Sequence, residues 1–382
     1  MASLPPTRRD LLGALPVALA LAALARTSWA GSEERARASA AEDPARRERR
    51  RRAIERGASW LAVQQRTGGG FGDDKAVVAL TALSVMALQA SGSAYGRGPH
   101  GLAVKRGIDF LLQLVETPST VQWHPEGYFH HPGDTDSRMH GQGYAALALA
   151  TALGMAPGPR AERLRSAVAK AVRCMEAAQT STGGYGYSPS PDNDHEGSVT
   201  VCVAQALRAA RDAGLTVSQG VVLRGLEYLR KSQVASDGAS DGGFTYSITH
   251  TKHTYALTAA AISSFYLFGR YKDDPRRTLD RGMRYMLRAL ERGAVDEEWW
   301  YYGHFYGAWA FWQRDGGDWS SASMWGRWAA LVLPELVGER QRSDGSWDDR
   351  ASGKFHYGPV LSTAFAVLTL SIPDEALPVF QR

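Results

Sequence analysis

Apolar side chains return at three- and four-residue spacing along most of the chain, as in Val77 to Leu88, Tyr144 to Leu153 and Thr200 to Ala210. On an α-helix that spacing gathers them on one face, so the pattern predicts an almost wholly helical protein. Turns marked by glycine and an aromatic residue separate the runs. The stretch Arg224 to Phe268 sets the unit: Arg224-Gly225, Tyr228-Leu229, Gln233, Gly242-Gly243-Phe244, then an apolar run from Tyr255 to Phe268. It reads as helix, tight turn, helix.

The unit recurs. Arg56-Gly57, Trp60-Leu61, Gln65, Gly70-Phe71 opens one copy, and Lys170-Ala171, Cys174-Met175, Gln179, Gly184-Tyr185 opens another. Arg106-Gly107, Phe110-Leu111 and Arg281-Gly282, Tyr285-Met286 keep the first half without the glutamine. Gln341, Gly345 and Trp347 keep the second half. First helices begin near Ala53, Lys105, Ala167, Leu223, Leu279 and Ala330. A step of roughly 50 to 60 residues means hairpins that cannot bury their apolar faces alone and must stack on their neighbours.

This string resembles the glutamine-tryptophan repeat of the terpenoid cyclase and protein prenyltransferase superfamily. The resemblance covers nearly all of residues 53–382 and implies an all-α fold, an α/α toroid of about six helical hairpins with inner and outer rings. Because the superfamily holds cyclases, metal-dependent transferases and proteins with no known activity, it implies the fold more sharply than the chemistry.

Three segments follow from charge and hydropathy. Arg8-Arg9, the apolar run Gly13 to Ala25 and Ser28-Trp29-Ala30 read as a twin-arginine export signal over residues 1–30, placing the mature protein in the periplasm or outside the cell. Residues 31–52 read as a charged, Arg-rich linker, and residues 53–382 as the repeat domain. Of the net charge of +5, the signal holds +2 and the linker +3, leaving the repeats neutral. The high pI therefore does not describe a nucleic-acid surface. The basic run 46–52 reads as a solvated leader or as a peripheral contact to an anionic membrane. Cys174 and Cys202 read as buried apolar residues, with a disulfide as the alternative.

Chemistry is expected where the turns feed the second helices, which form the inner ring in the superfamily. Those positions carry Asp73 and Asp74; His140 and Gln142; Asp194, His195 and Glu196; His250 and His253; Tyr302 and His304; and His356 and Tyr357. Six of the ten histidines lie there, more than composition requires. Three explanations stand side by side. The first is helix capping with hydrogen bonds across the ring. The second is metal: the protein prenyltransferases use an Asp, a Cys and a His from separate turns, which implies Asp194, Cys202 and His253 as weak zinc ligands. The third is acid catalysis. Squalene-hopene-type cyclases protonate an alkene from an Asp-x-Asp-Asp motif before an inner helix. The nearest string is Asp192-Asn193-Asp194-His195-Glu196, with Asp194 as proton donor and His195 and Glu196 tuning it.

Aromatic residues crowd the fifth unit, from Trp299-Trp300-Tyr301-Tyr302 to Trp328. They read as core, or as the rim of a cavity that holds an apolar ligand and a developing cation. Tyr302, His304 and Tyr306 are expected nearest that cavity, with Asp73, His140, Gln142, His250, His253, His356 and Tyr357 lining it. Residues 122–132 read as a lid or an ordinary loop, and residues 372–382 as a strap sealing the last hairpin against the first. The expected function is binding or transformation of an apolar isoprenoid-like molecule or lipid. The alternatives are a non-catalytic scaffold on the same fold and an α/α-barrel enzyme acting on polysaccharide through paired carboxylates such as Asp73 with Asp194 or Glu196.

Overall fold

The computed structural model describes residues 41–119, 121, 124–156, 158–192, 194–268, 275–348 and 357–381. Residues 1–30, expected as an export signal, residues 31–40 of the expected linker, Gln122, Trp123 and His356 lie outside the described residues. Those residues hold twelve α-helices in six antiparallel hairpins. The outer members are α1 (Pro44–Val63), α3 (Gly101–Glu116), α5 (Pro159–Ala177), α7 (Gln219–Lys231), α9 (Pro275–Glu291) and α11 (Met324–Pro334). The inner members are α2 (Val77–Ala90), α4 (Arg138–Leu153), α6 (Gly197–Asp212), α8 (Tyr255–Phe268), α10 (Trp300–Asp315) and α12 (Pro359–Ser371). Each inner helix packs on the next, and α12 packs on α2, so the ring is closed. The expected α/α toroid is the fold found.

Sequence separates the two layers. An inner helix has protein on every side and is apolar all round; in α2 every residue but Ala79 is buried. An outer helix has one wet face: α9 buries Met283, Met286 and Leu290 while Arg284 is exposed.

Neighbouring hairpins are joined by the residues that carry the repeat. Gln65 Nε2 donates to Gly69 O of its own turn at 2.9 Å and to Ala103 O of the next outer helix at 2.8 Å. Gln179 joins Gly183 to Val221 (2.9 and 2.8 Å), and Gln233 joins Gly242 to Thr278 (3.3 and 2.9 Å). Gln341 of the last hairpin reaches Ala53 O of the first at 2.9 Å, so the same bond closes the circle. The turn glycine is required for two reasons. At Gly345 φ is +97°, and a Cβ there would stand 2.7 Å from the carbonyl of Arg56.

A second recurring bond fixes the aromatic residue that follows. The backbone N–H groups of Phe71, Tyr185, Phe244 and Trp347 donate to the inner-helix hydroxyls of Thr81, Thr200, Thr258 and Thr363, at 2.9 to 3.1 Å.

The first hairpin corrects the expected boundary. Helix α1 starts at Pro44, capped by Asp43, so the basic run 46–52 is the start of the repeat domain and not the end of a linker. Arg50 is buried and binds Glu42 at 2.9 Å and Asp374 at 2.7 Å, tying the first helix to the segment after α12. Arg47, Arg49, Arg51 and Arg52 remain exposed. Cys174 and Cys202 are buried free thiols. No described helix is long and apolar enough to cross a membrane.

Candidate functional site

Helix α6 begins with Glu196, whose carboxylate caps it by accepting from Ser198 N at 2.8 Å and Val199 N at 2.6 Å. The same carboxylate accepts from Ser198 Oγ at 2.7 Å. From α4, His140 Nε2 lies 2.8 Å from Ser198 Oγ and 3.4 Å from Glu196 Oε1. Glu196 is fully buried, and burial pushes its carboxyl up to about 7 against the lowering pull of its own hydrogen bonds. His140 keeps 24% of its side chain open, yet desolvation of its ring pushes it down to about 4. Near neutrality the site therefore holds an uncharged imidazole beside a carboxyl that burial makes easier to protonate than an exposed one. Tyr187 stands 5.8 Å from the His140 ring and shares a 2.7 Å hydrogen bond with Tyr246, completing the mouth around the pair.

Below the mouth the ring axis is filled. Tyr302 packs on Tyr306 (4.8 Å between ring centres) and on Phe365 (6.0 Å). The Tyr306 hydroxyl meets Gln205 Oε1 at 3.1 Å and the Tyr144 hydroxyl at 3.2 Å. Burial pushes Cys202 up to about 12, with Glu196 adding to the shift, and raises Tyr302 and Tyr306 well above the usual phenol range. Deeper still, the axis narrows to a space of about 10 Å³ lined by residues that include Leu83, Gln205, Trp309 and Phe380. That is room for no more than about one water.

The expected site residues therefore fall into separate places. His140 and Glu196 meet at the mouth, and Tyr302 and Tyr306 lie in the axis. Asp194, expected as the proton donor, is exposed, as are Asp73 and His250. His195 and His253 serve a structural stitch: each ring Nδ1 meets a tyrosine hydroxyl of the next outer helix, Tyr228 at 3.0 Å and Tyr285 at 2.9 Å. Tyr357 lies under the Lys75 ammonium, 5.3 Å from its ring centre.

Two residues move out of the cavity altogether. His304 is buried among Trp300, Tyr255 and Trp328, accepting from Trp328 Nε1 at 3.2 Å, and burial pushes it down to about 3. It points toward outer helix α11 because it sits half a turn from Tyr302 and Tyr306. Gln142 belongs to a seam. Its Nε2 donates to Gly127 O at 2.9 Å and its Oε1 accepts from Phe129 N at 3.0 Å. It thus replaces both the glutamine and the threonine that the second hairpin lacks. Gly127-Tyr128-Phe129 is that hairpin's turn, so the segment expected as a lid or loop carries a repeat element. Asp194, Cys202 and His253 are not assembled: among the described residues no three His, Cys, Asp or Glu side chains group as metal ligands.

The sequence profile described as prenyltransferase alpha-alpha toroid domain matches residues 42–238, just over half of the chain. The chain belongs to this toroid family. No curated protein matches it by sequence. Among solved structures it is similar to the type II terpene cyclase MstE from Scytonema, with a TM-score of 0.53 and 16% identity over 86% of this chain and all of that one. A single-residue variant of that cyclase in complex with the substrate geranylgeranyl dihydroxybenzoate gives 0.56 and 16%, over 87% and 99%. An inactive α-1,6-mannanase variant of Salegentibacter sp. HEL1_6, in complex with α-1,6-mannotriose, gives 0.59 and 8%, over 84% and 98%. At such identities the likeness is one of fold, and toroids of this shape include both a terpene cyclase and a glycosidase.

Within this family toroid, sequence reading missed Ser198, Tyr144, Gln205 and Phe365. For Gln205 a signal was present, since it is a lone amide inside the apolar run Val199 to Leu207. Ser198 lies two residues beyond the acidic string 192–196.

Proposed function

We propose that this chain is an exported toroid that takes an apolar, isoprenoid-like molecule into its aromatic axis and that Glu196, not Asp194, is the acid that serves it. The observation that carries this reading is a fully buried carboxyl at the start of an inner helix, close enough to Tyr302 and Cys202 to act on their ionisation, with burial raising its own pKa. Burial keeps a proton on this carboxyl; its transfer to an alkene carbon would form a C–H bond and a cation facing Tyr302, Tyr306 and Phe365, and loss of a proton from a neighbouring carbon back to the carboxylate would close the step. His140 and Ser198 act on the acid by holding it in place. The solved terpene cyclase in complex with a geranylgeranyl substrate supports the ligand class by analogy of fold. The exposed arginines of α1 provide a surface for an anionic membrane from which such a ligand would come.

Native mass spectrometry of the purified protein, before and after adding geranylgeraniol, tests the reading together with lipid extraction. Expected are a bound apolar molecule in both wild type and Glu196→Gln, and chemical change of an alkene ligand only in wild type. Absence of any bound apolar molecule, even after addition, would leave the second reading, a non-catalytic platform. The filled axis favours that alternative.

A further inference from the structure

The side chains around the narrow part of the axis come from two sources. Leu83 and Met86 belong to α2, Tyr144 and Leu147 to α4, Gln205 to α6, Phe305 and Trp309 to α10, and Leu368 to α12. The other three, Leu377, Val379 and Phe380, belong to the segment that follows α12. Leu377 and Phe380 are 1% exposed, and the Phe380 ring lies 5.7 Å from Trp309 and 6.1 Å from Phe305. A ligand pocket needs on the order of 300 Å³ or more, against the 10 Å³ present. Something must leave before an isoprenoid enters. Moving an inner helix breaks the closed ring, whereas moving three side chains on one short segment does not.

That segment is built in two parts. Its first part is anchored: Asp374 receives two hydrogen bonds from the buried guanidinium of Arg50, at 2.7 and 2.9 Å. Immediately beyond the anchor, Glu375 takes a left-handed backbone conformation with φ +46°, which a residue with a Cβ holds under strain. Its second part is a single turn, Pro378–Phe380, joined to α10 through a bond from Gln313 Nε2 to Phe380 O at 3.2 Å and otherwise by apolar contact. Among the described residues Gln205 Nε2 and Trp309 Nε1, both on the axis wall, have no hydrogen-bond partner while the turn is in place.

We propose that residues 376–381 are a built-in plug that occupies the ligand's place in the axis and swings out about Glu375 when an apolar ligand enters, while Asp374 stays tethered to Arg50. This rests on the reading that the axis takes an apolar ligand, and it names how access is controlled. The plug lowers apparent affinity by the fraction of molecules in which it is displaced. It also keeps aromatic surface from water when no ligand is bound.

Geranylgeraniol binding to wild type and Phe380→Ala, with amide hydrogen exchange on wild type, separates the possibilities. Expected is apparent binding roughly tenfold or more tighter in Phe380→Ala, as the competent fraction rises, with faster exchange across residues 377–381 in ligand-bound wild type. Binding by the variant alone would overturn the swing, because the Phe380 ring would then block the axis without being displaced. Wild-type binding with exchange at 377–381 unchanged would overturn the plug and leave the axis reading standing. Failure of both proteins to bind, each folded by circular dichroism, would overturn the axis reading and the plug with it. The exchange measurement needs no variant, so a misfolded Phe380→Ala does not remove the test.

Discussion

Gln142 and Glu196 are both completely buried polar residues at the starts of inner helices, but the regions they serve differ in kind. Gln142 lies in a seam between hairpins, and its bonds have counterparts at Gln65, Gln179, Gln233 and Gln341 and at four threonines. The partners of Gln142 are backbone groups, so its bonds do not change with pH. Glu196 lies at the mouth, where its carboxylate accepts from the Ser198 hydroxyl, which His140 in turn contacts. What repeats around the ring builds the ring, and what occurs once is where a specific chemistry can reside.

The largest effect is expected in the seam. Gln142→Ala strands the buried N–H of Phe129 and the carbonyl of Gly127. Unsatisfied buried groups cost about 1–3 kcal/mol each, so denaturant unfolding should show a loss of about 4 kcal/mol, the same at pH 5 and pH 8. A loss that varied with pH would place Gln142 in the titrating site after all.

The mouth should behave in the opposite manner. Glu196 rises from 4.5 to about 7 on folding, so the folded state holds its proton more tightly. Its stabilising contribution is complete below pH 4.5 and is lost as pH climbs through 7, a change of about 3 kcal/mol. His140 and His304 shift downward and give stability that is lost as pH falls, so the wild-type profile mixes both signs. The difference between Glu196→Gln and wild type isolates the carboxyl. Whatever its fixed offset, unfolding at a series of pH values should find the variant gaining on wild type by about 3 kcal/mol between pH 4.5 and 7. A flat difference would mean that Glu196 is an ordinary ionised cap.

The same contrast explains what could be read without a structure. The ring was legible because its seams depend on residue types at fixed short spacing: a basic residue with glycine, a glutamine, and an aromatic residue two after the turn glycine. The second hairpin hid its device because Gln142 arrives from the inner helix, 15 residues after Gly127. Gly127-Tyr128-Phe129 keeps the turn spacing and was the available clue. The mouth was legible only as a neighbourhood. Asp194 and Glu196 are two residues apart, and which is buried depends on the packing of α6 against α4. His304 was misplaced by grouping alternate residues, although helical phase puts 302 and 306 on one face and 304 on another.

The smallest effect tests whether a seam is a sum of separable bonds. Thr258 accepts from the buried N–H of Phe244 at 2.9 Å and donates to Thr254 O at 2.7 Å. Thr258→Val keeps the shape and strands the Phe244 donor, so a loss of about 2 kcal/mol is expected, read as a lowered denaturant midpoint with an unchanged slope. Gln142→Thr runs the comparison the other way. A threonine there restores the hydroxyl that the other hairpins offer their aromatic N–H but not the tie to Gly127. It should therefore recover about half of the Gln142→Ala loss, roughly 2 kcal/mol. No recovery would mean that Gln142 works through its reach across the seam and that the two bonds cannot be separated.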